Sequence, residues 1–138
     1  MQWKIKDGKL AGPIDFDTKL SSVKNMIGDP SDQFKRTPDS DEFVYAYDEK
    51  GIHLSIDGDG KLCQLIVFSD NKVFIGTTQV LGKPMDFIYS ELNTAGVVIK
   101  REDVGLWCEN EKAFLIEVEG LVDGVEISED TKNIEQVR

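Results

Sequence analysis

Residues 51–69, GIHLSIDGDGKLCQLIVFS, decide how the chain is read. Ser55, Asp57, Asp59 and Gly60 take the first, third, fifth and sixth places of an EF-hand calcium loop, whose twelfth place must be a bidentate Glu. Here the twelfth place is Ile66, which has no oxygen to give a metal. An EF-hand also needs long flanking helices, whereas apolar residues alternate on both sides of this acidic segment. The stretch therefore reads as a strand, a tight turn and a second strand. No metal site and no cofactor site is expected from it.

Working outward, residues 42–49, EFVYAYDE, supply a third run of strand character, and the turn signals at residues 49–51 and 57–60 order the runs into an antiparallel meander. Before them, residues 31–42, SDQFKRTPDSDE, read as a loop with an extended piece at 33–36. Leu20, Val23 and Ile27 recur at helical spacing, with Asp17 or Thr18 as N-cap, Gly28 as the stop and Pro30 beyond it. The opening residues 2–16, QWKIKDGKLAGPIDF, read as a short hairpin about Asp7 and Gly8 at a sheet edge. Residues 73–77, VFIGT, read as another strand or an extended crossover.

The pattern then restarts. Met85, Ile88, Leu92 and Ala95 mark a second helix between Pro84 and Gly96, and three apolar runs follow: VVIKR at 97–101, GLWCEN at 105–110 and KAFLIEVEG at 112–120. A degenerate internal repeat over 17–69 and 84–120 is expected, within one domain spanning 1–138. The expected fold class is α+β: an antiparallel sheet built from two helix-plus-three-strand-meander halves, with the helices on one face and the other face open. A further strand is read near 125–127, and 129–138 read as a polar tail that frays.

Composition narrows the function classes. With 138 residues, 40% of them hydrophobic and 30% charged, the chain is long enough for one real core and is not of the disordered class. Sixteen basic against 26 acidic side chains leave a net charge of −10, which repels nucleic acid and anionic lipid and favours a basic protein partner. No leader sequence and no apolar run of membrane-spanning length stands out, so the expected compartment is the cytoplasm. Cys63 and Cys108 lie apart inside apolar strands and read as buried, reduced thiols.

Catalytic motifs are not evident. His53 is the only histidine and reads as a half-exposed strand residue; nucleophile-elbow, P-loop and dinucleotide fingerprints do not occur. Glu117 and Glu119 are two apart along a strand, so they stand side by side on one solvated face rather than across a glycosidase cleft. Trp107 and Glu109 share a face of the preceding strand. Trp107, Glu109, Glu117 and Glu119 are therefore the candidate partner-binding residues, an aromatic anchor within an acidic rim.

GPIDFDTKLSSVKNMIGDP at 12–30, followed by YDEKGIHLSIDGDGKLCQLIVF at 47–68, resembles a group of small bacterial proteins with a Gly-Pro-Ile start, a helix ending in Ile-Gly-x-Pro and a strand pair about an aspartate-glycine turn. Acidic members of this size resemble immunity proteins of toxin/immunity systems, including those of contact-dependent inhibition. The resemblance implies a non-enzymatic protein that binds and neutralises a cognate toxin domain, a basic nuclease by preference. It carries over no site residues. A small-ligand protein or enzyme with a pocket unseen in sequence, and an adaptor module, remain the alternatives.

Overall fold

A computed structural model describes residues 1–68 and 70–129. In chain order the elements are β1 (Gln2–Lys6), β2 (Lys9–Ala11), α1 (Leu20–Ile27), β3 (Asp32–Lys35), β4 (Phe43–Tyr47), β5 (Ile52–Ile56), β6 (Leu62–Phe68), β7 (Lys72–Ile75) and β8 (Thr78–Gln79). They continue with α2 (Met85–Thr94), β9 (Ile99–Glu102), β10 (Gly105–Cys108), β11 (Ala113–Val118) and β12 (Leu121–Ser128). One 3₁₀ turn, Asp48–Lys50, joins β4 to β5.

The expected α+β class gives way to a sheet-dominated fold. Eight antiparallel strands form one sheet in the order β3-β4-β5-β6-β12-β11-β10-β9, and a second sheet has the order β2-β1-β7-β8. The helices do not cover the large sheet by themselves. Trp3 and Ile5 of β1, Val73 and Ile75 of β7, Val23 of α1 and Ile88 and Leu92 of α2 all enter one core with Leu54, Leu65 and Val125 of the large sheet. The second sheet escapes a reading of local pattern because its centre is a parallel pairing of residues far apart in sequence, Trp3 with Val73 and Ile5 with Ile75.

Each meander also has four strands rather than three. β3 is the first of one, and all four of its residues are exposed, so it shows no apolar alternation. β12 closes the other and sits in the middle of the sheet, where Asp123 and Gly124 interrupt the apolar pattern. Val125 faces Val67 and Ile127 faces Leu65 across the central β6–β12 seam. These four side chains are essentially removed from water, which stabilises the seam by about 1.5–3 kcal/mol per residue.

Local signals explain the rest. Asp57 accepts the backbone N–H groups of Asp59 and Lys61 at 3.0 Å each, closing the turn between β5 and β6. The N-cap of α1 is Lys19, not Asp17 or Thr18, because Thr18 is engaged with Asp15: its hydroxyl donates to Asp15 Oδ1 at 3.0 Å. Gly28 ends α1 at φ +86°, and Gly96 follows α2 at φ +81°. Of the polar tail, only Glu129 is described, and it accepts from Lys61 Nζ at 2.9 Å; residues 130–138 lie outside the described residues.

Candidate functional site

The large sheet has a core face and a second face, and strand alternation assigns the side chains between them. Leu106 and Cys108 of β10 point into the core, so Trp107 points away from it. Trp107 pairs across the strands with Phe114 and, with Ile116 packed alongside, makes a small separate apolar cluster. Its exposure is 6%, so it is not an open anchor.

The three glutamates go elsewhere. Glu117 follows a register shift after Ile116, pairs with the core residue Val122 and accepts from Arg101 Nη2 at 3.0 Å. Arg101 also reaches Asp86 of α2 at 3.8 Å, which puts Glu117 on the helix side of the sheet. Glu119 is not in a strand at all: with Gly120 it makes a two-residue turn in which both φ angles are positive, +52° and +80°. Glu109 is exposed at the opposite end of β11, its N–H bonded to Val98 O at 2.9 Å. The structure does not gather the four residues into one patch. The turn, which a strand period does not reveal, separates Glu117 from Glu119.

One end of the large sheet instead collects acid. Register brings together the Tyr47–Ile52 turn, the end of β6 at Phe68, the start of β12 and the β11–β12 turn. Asp29, Asp48 and Glu49 line one cleft there, of about 350 Å³, and Asp70, Glu119 and Asp123 line another, of about 330 Å³. All six carboxylates are on exposed residues, and among the described residues Lys50 is the sole basic one lining either cleft. At the far end of the sheet Glu42 pairs with Arg36 and Glu129 with Lys61, and Asp39, Asp41 and Asp59 are exposed there too.

Asn71 ties the two clefts together. It lines the second, while its Nδ2 donates to Lys50 O of the first at 2.9 Å, and also to Gly51 O at 3.2 Å and Phe68 O at 2.7 Å. Its Oδ1 accepts the Trp3 indole N–H at 3.0 Å. Glu119 is the only one of the six that sequence reasoning selects. Asp70 and Asp123 become neighbours only through the pairing of Phe68 with Gly124, and the signal for them was no more than two acidic turns.

Reactive groups have structural occupations. His53 Nε2 lies 3.0 Å from Asp48 Oδ1 and its ring meets Phe68 edge-on. In the first cleft, Ser31 Oγ donates to Ala46 O at 2.9 Å and Tyr47 Oη donates to Gly28 O at 3.0 Å. Burial, with the negative charge of Asp29 second, pushes the Tyr47 phenol above its usual value of 10, away from reactivity at neutral pH. Cys63 and Cys108 are buried and unbridged, and burial first, then nearby carboxylates, push both thiols up to about 12. Neither is a thiolate nucleophile at neutral pH.

Glu111 is a buried acid with Oε2 unpartnered, and burial, then the charge of Asp7, raises its pKa above 4.5. An acid raised in the folded state destabilises it above the folded pKa, and this cost vanishes as pH falls below the unfolded value. Glu111→Gln is therefore expected to raise the urea midpoint at pH 7 and to leave it unchanged near pH 4. An equal gain at both pH values would contradict the assignment.

Among the described residues no helix is long and apolar enough to cross a membrane, and no group of three or more His, Cys, Asp or Glu is placed to hold a metal ion. No family model and no curated protein matches the sequence. Among solved structures, the chain is similar to an extracellular protein containing a SCP domain from Bacillus anthracis str. Ames, with 11% identity and a TM-score of 0.53. The likeness covers 88% of this chain and 46% of that one, so the chain spans about half the length of that neighbour. At this identity it bears on the fold alone.

Proposed function

We propose that the chain is a non-enzymatic binding protein of the immunity type, which neutralises a basic bacterial toxin domain by covering its surface. The observation that carries this reading is the acidic rim: six exposed carboxylates at one end of the large sheet, with one lining lysine among them. A net charge of −10 adds a long-range field of the same sign. Opposite fields steer association and raise its rate toward ~10⁸ to 10⁹ M⁻¹s⁻¹ at low salt. The rim is mounted on strands whose pairing crosses the chain, so its charges are held in place before a partner arrives, which lowers the ordering cost of binding. Unbridged Cys63 and Cys108 favour a reducing compartment, in keeping with protection from inside the cell.

The test is protection. The reading predicts a toxin-domain gene immediately upstream; co-expression with its product is expected to restore growth, and the two products are expected to co-purify. Loss of neither toxicity nor free toxin on co-expression would reject the reading.

A second reading rests on the structural neighbour, in which a fold like this one makes up about half of an extracellular protein. On that reading the chain is a non-catalytic module that works beside another domain outside the cell. Location separates the two: fractionation of native protein into the medium or envelope favours the module, and retention in the cytoplasm favours the immunity protein.

A further inference from the structure

Within the acidic rim the two clefts differ in one respect. The cleft beside the β11–β12 turn carries two aliphatic side chains, Val118 and Leu121, at 47% and 46% exposure, next to the buried Leu81. Asp70, Glu119 and Asp123 stand around them, and among the described residues no basic one lines the cleft. Half-exposed aliphatic groups at the tip of a hairpin gain by being covered, while three carboxylates admit only a cover that brings positive charge. An anionic or purely apolar occupant would desolvate those carboxylates without compensation. We propose that this cleft docks a basic-aliphatic segment of the partner, a lysine or arginine head against the carboxylates and a neighbouring aliphatic side chain against Val118 and Leu121. The proposal rests on the reading of a basic partner and gives it a location.

Backbone geometry makes the site testable without unfolding it. Asp70 and Glu119 have φ of +54° and +52°, a region that asparagine tolerates well. The triple variant Asp70→Asn, Glu119→Asn, Asp123→Asn removes the charge and keeps the turn. The probe is the peptide acetyl-Leu-Lys-Leu-Lys-Leu-amide, titrated into ¹⁵N-labelled full chain. Saturable shifts are expected at the amides of Gly82, Glu119, Gly120 and Asp123. Affinity is expected to fall about tenfold or more in the triple variant and in Val118→Thr/Leu121→Thr. It is expected to stay unchanged in Asp39→Asn/Asp59→Asn, exposed acids at the far end of the sheet.

An unchanged affinity in the triple variant, or equal shifts around Asp29, Asp48 and Glu49, would overturn the proposal. The toxin domain then separates the two levels. If it binds and leaves the Glu119 and Asp123 amides unshifted, the docking cleft is wrong and the immunity reading stands. If the peptide seats as expected and the toxin domain does not bind, the cleft stands and the immunity reading falls.

Discussion

Asn71→Leu is expected to cost on the order of 4 kcal/mol of folding stability, because leaving a buried donor or acceptor unpaired costs about 1–3 kcal/mol for each group. The substitution nearly preserves volume but strips a partner from the Trp3 indole N–H and from the carbonyls of Lys50 and Phe68, while Gly51 O keeps the Phe68 N–H at 2.8 Å. Trp3 has no exposed surface, so water cannot take over its bond without opening the core. Asn71→Asp separates the roles: its carboxylate still accepts from Trp3 but donates to none of the three carbonyls, so it too is expected to be strongly destabilised at pH 7. Urea unfolding measures both variants. A loss below ~1 kcal/mol in Asn71→Leu would mean that the second sheet is fastened to the large one by other means.

Gly105→Ala is the second large effect. A Cβ at Gly105 would fall on the carbonyl oxygen of Leu115 and within 2.8 Å of Cζ of the Phe114 ring. The ring could turn aside, but the carbonyl belongs to the neighbouring strand and cannot move without disturbing the β10–β11 ladder. The expected loss is about 3 kcal/mol, the upper part of the usual range for overpacking. Phe114→Ala in the same chain is not expected to rescue it, because the backbone contact remains. A rescue would show that the ring alone makes the position glycine-only. The same packing accounts for the burial of Trp107, which faces Phe114 across this pair of strands.

What the sequence makes legible is what repeats locally. Alternation in β5 and β6, helical spacing in Leu20, Val23 and Ile27, and the stops at Gly28 and Gly96 each report a period that needs no distant partner. β3 is legible only as an extended piece at 33–36 because an edge strand exposed at every residue has no apolar face, and β12 only near 125–127 because Gly124 sits in its middle. The parallel β1–β7 pair and the β6–β12 seam are non-local, and a pattern within either strand does not name its mate. The same limit governs the site. Glu119 was readable as an exposed acid, but its companions Asp70 and Asp123 are recruited by register. Glu117 lies on the helix side because the alternation of β11 puts it on the face of the core residue Leu115, opposite Phe114 and Ile116, and there Arg101 takes it up.

On the proposed function, a negatively charged sheet end receives a positively charged protein. Stopped-flow association of the chain with the product of the adjacent gene, compared at about 0.02 M and about 0.5 M salt, addresses this directly, since the screening length shortens from ~20 Å to ~4 Å over that range. The association rate is expected to fall at least tenfold with added salt, and neutralising the six rim carboxylates is expected to abolish most of that dependence. A rate indifferent to salt, or an unaltered salt dependence after neutralisation, would contradict it.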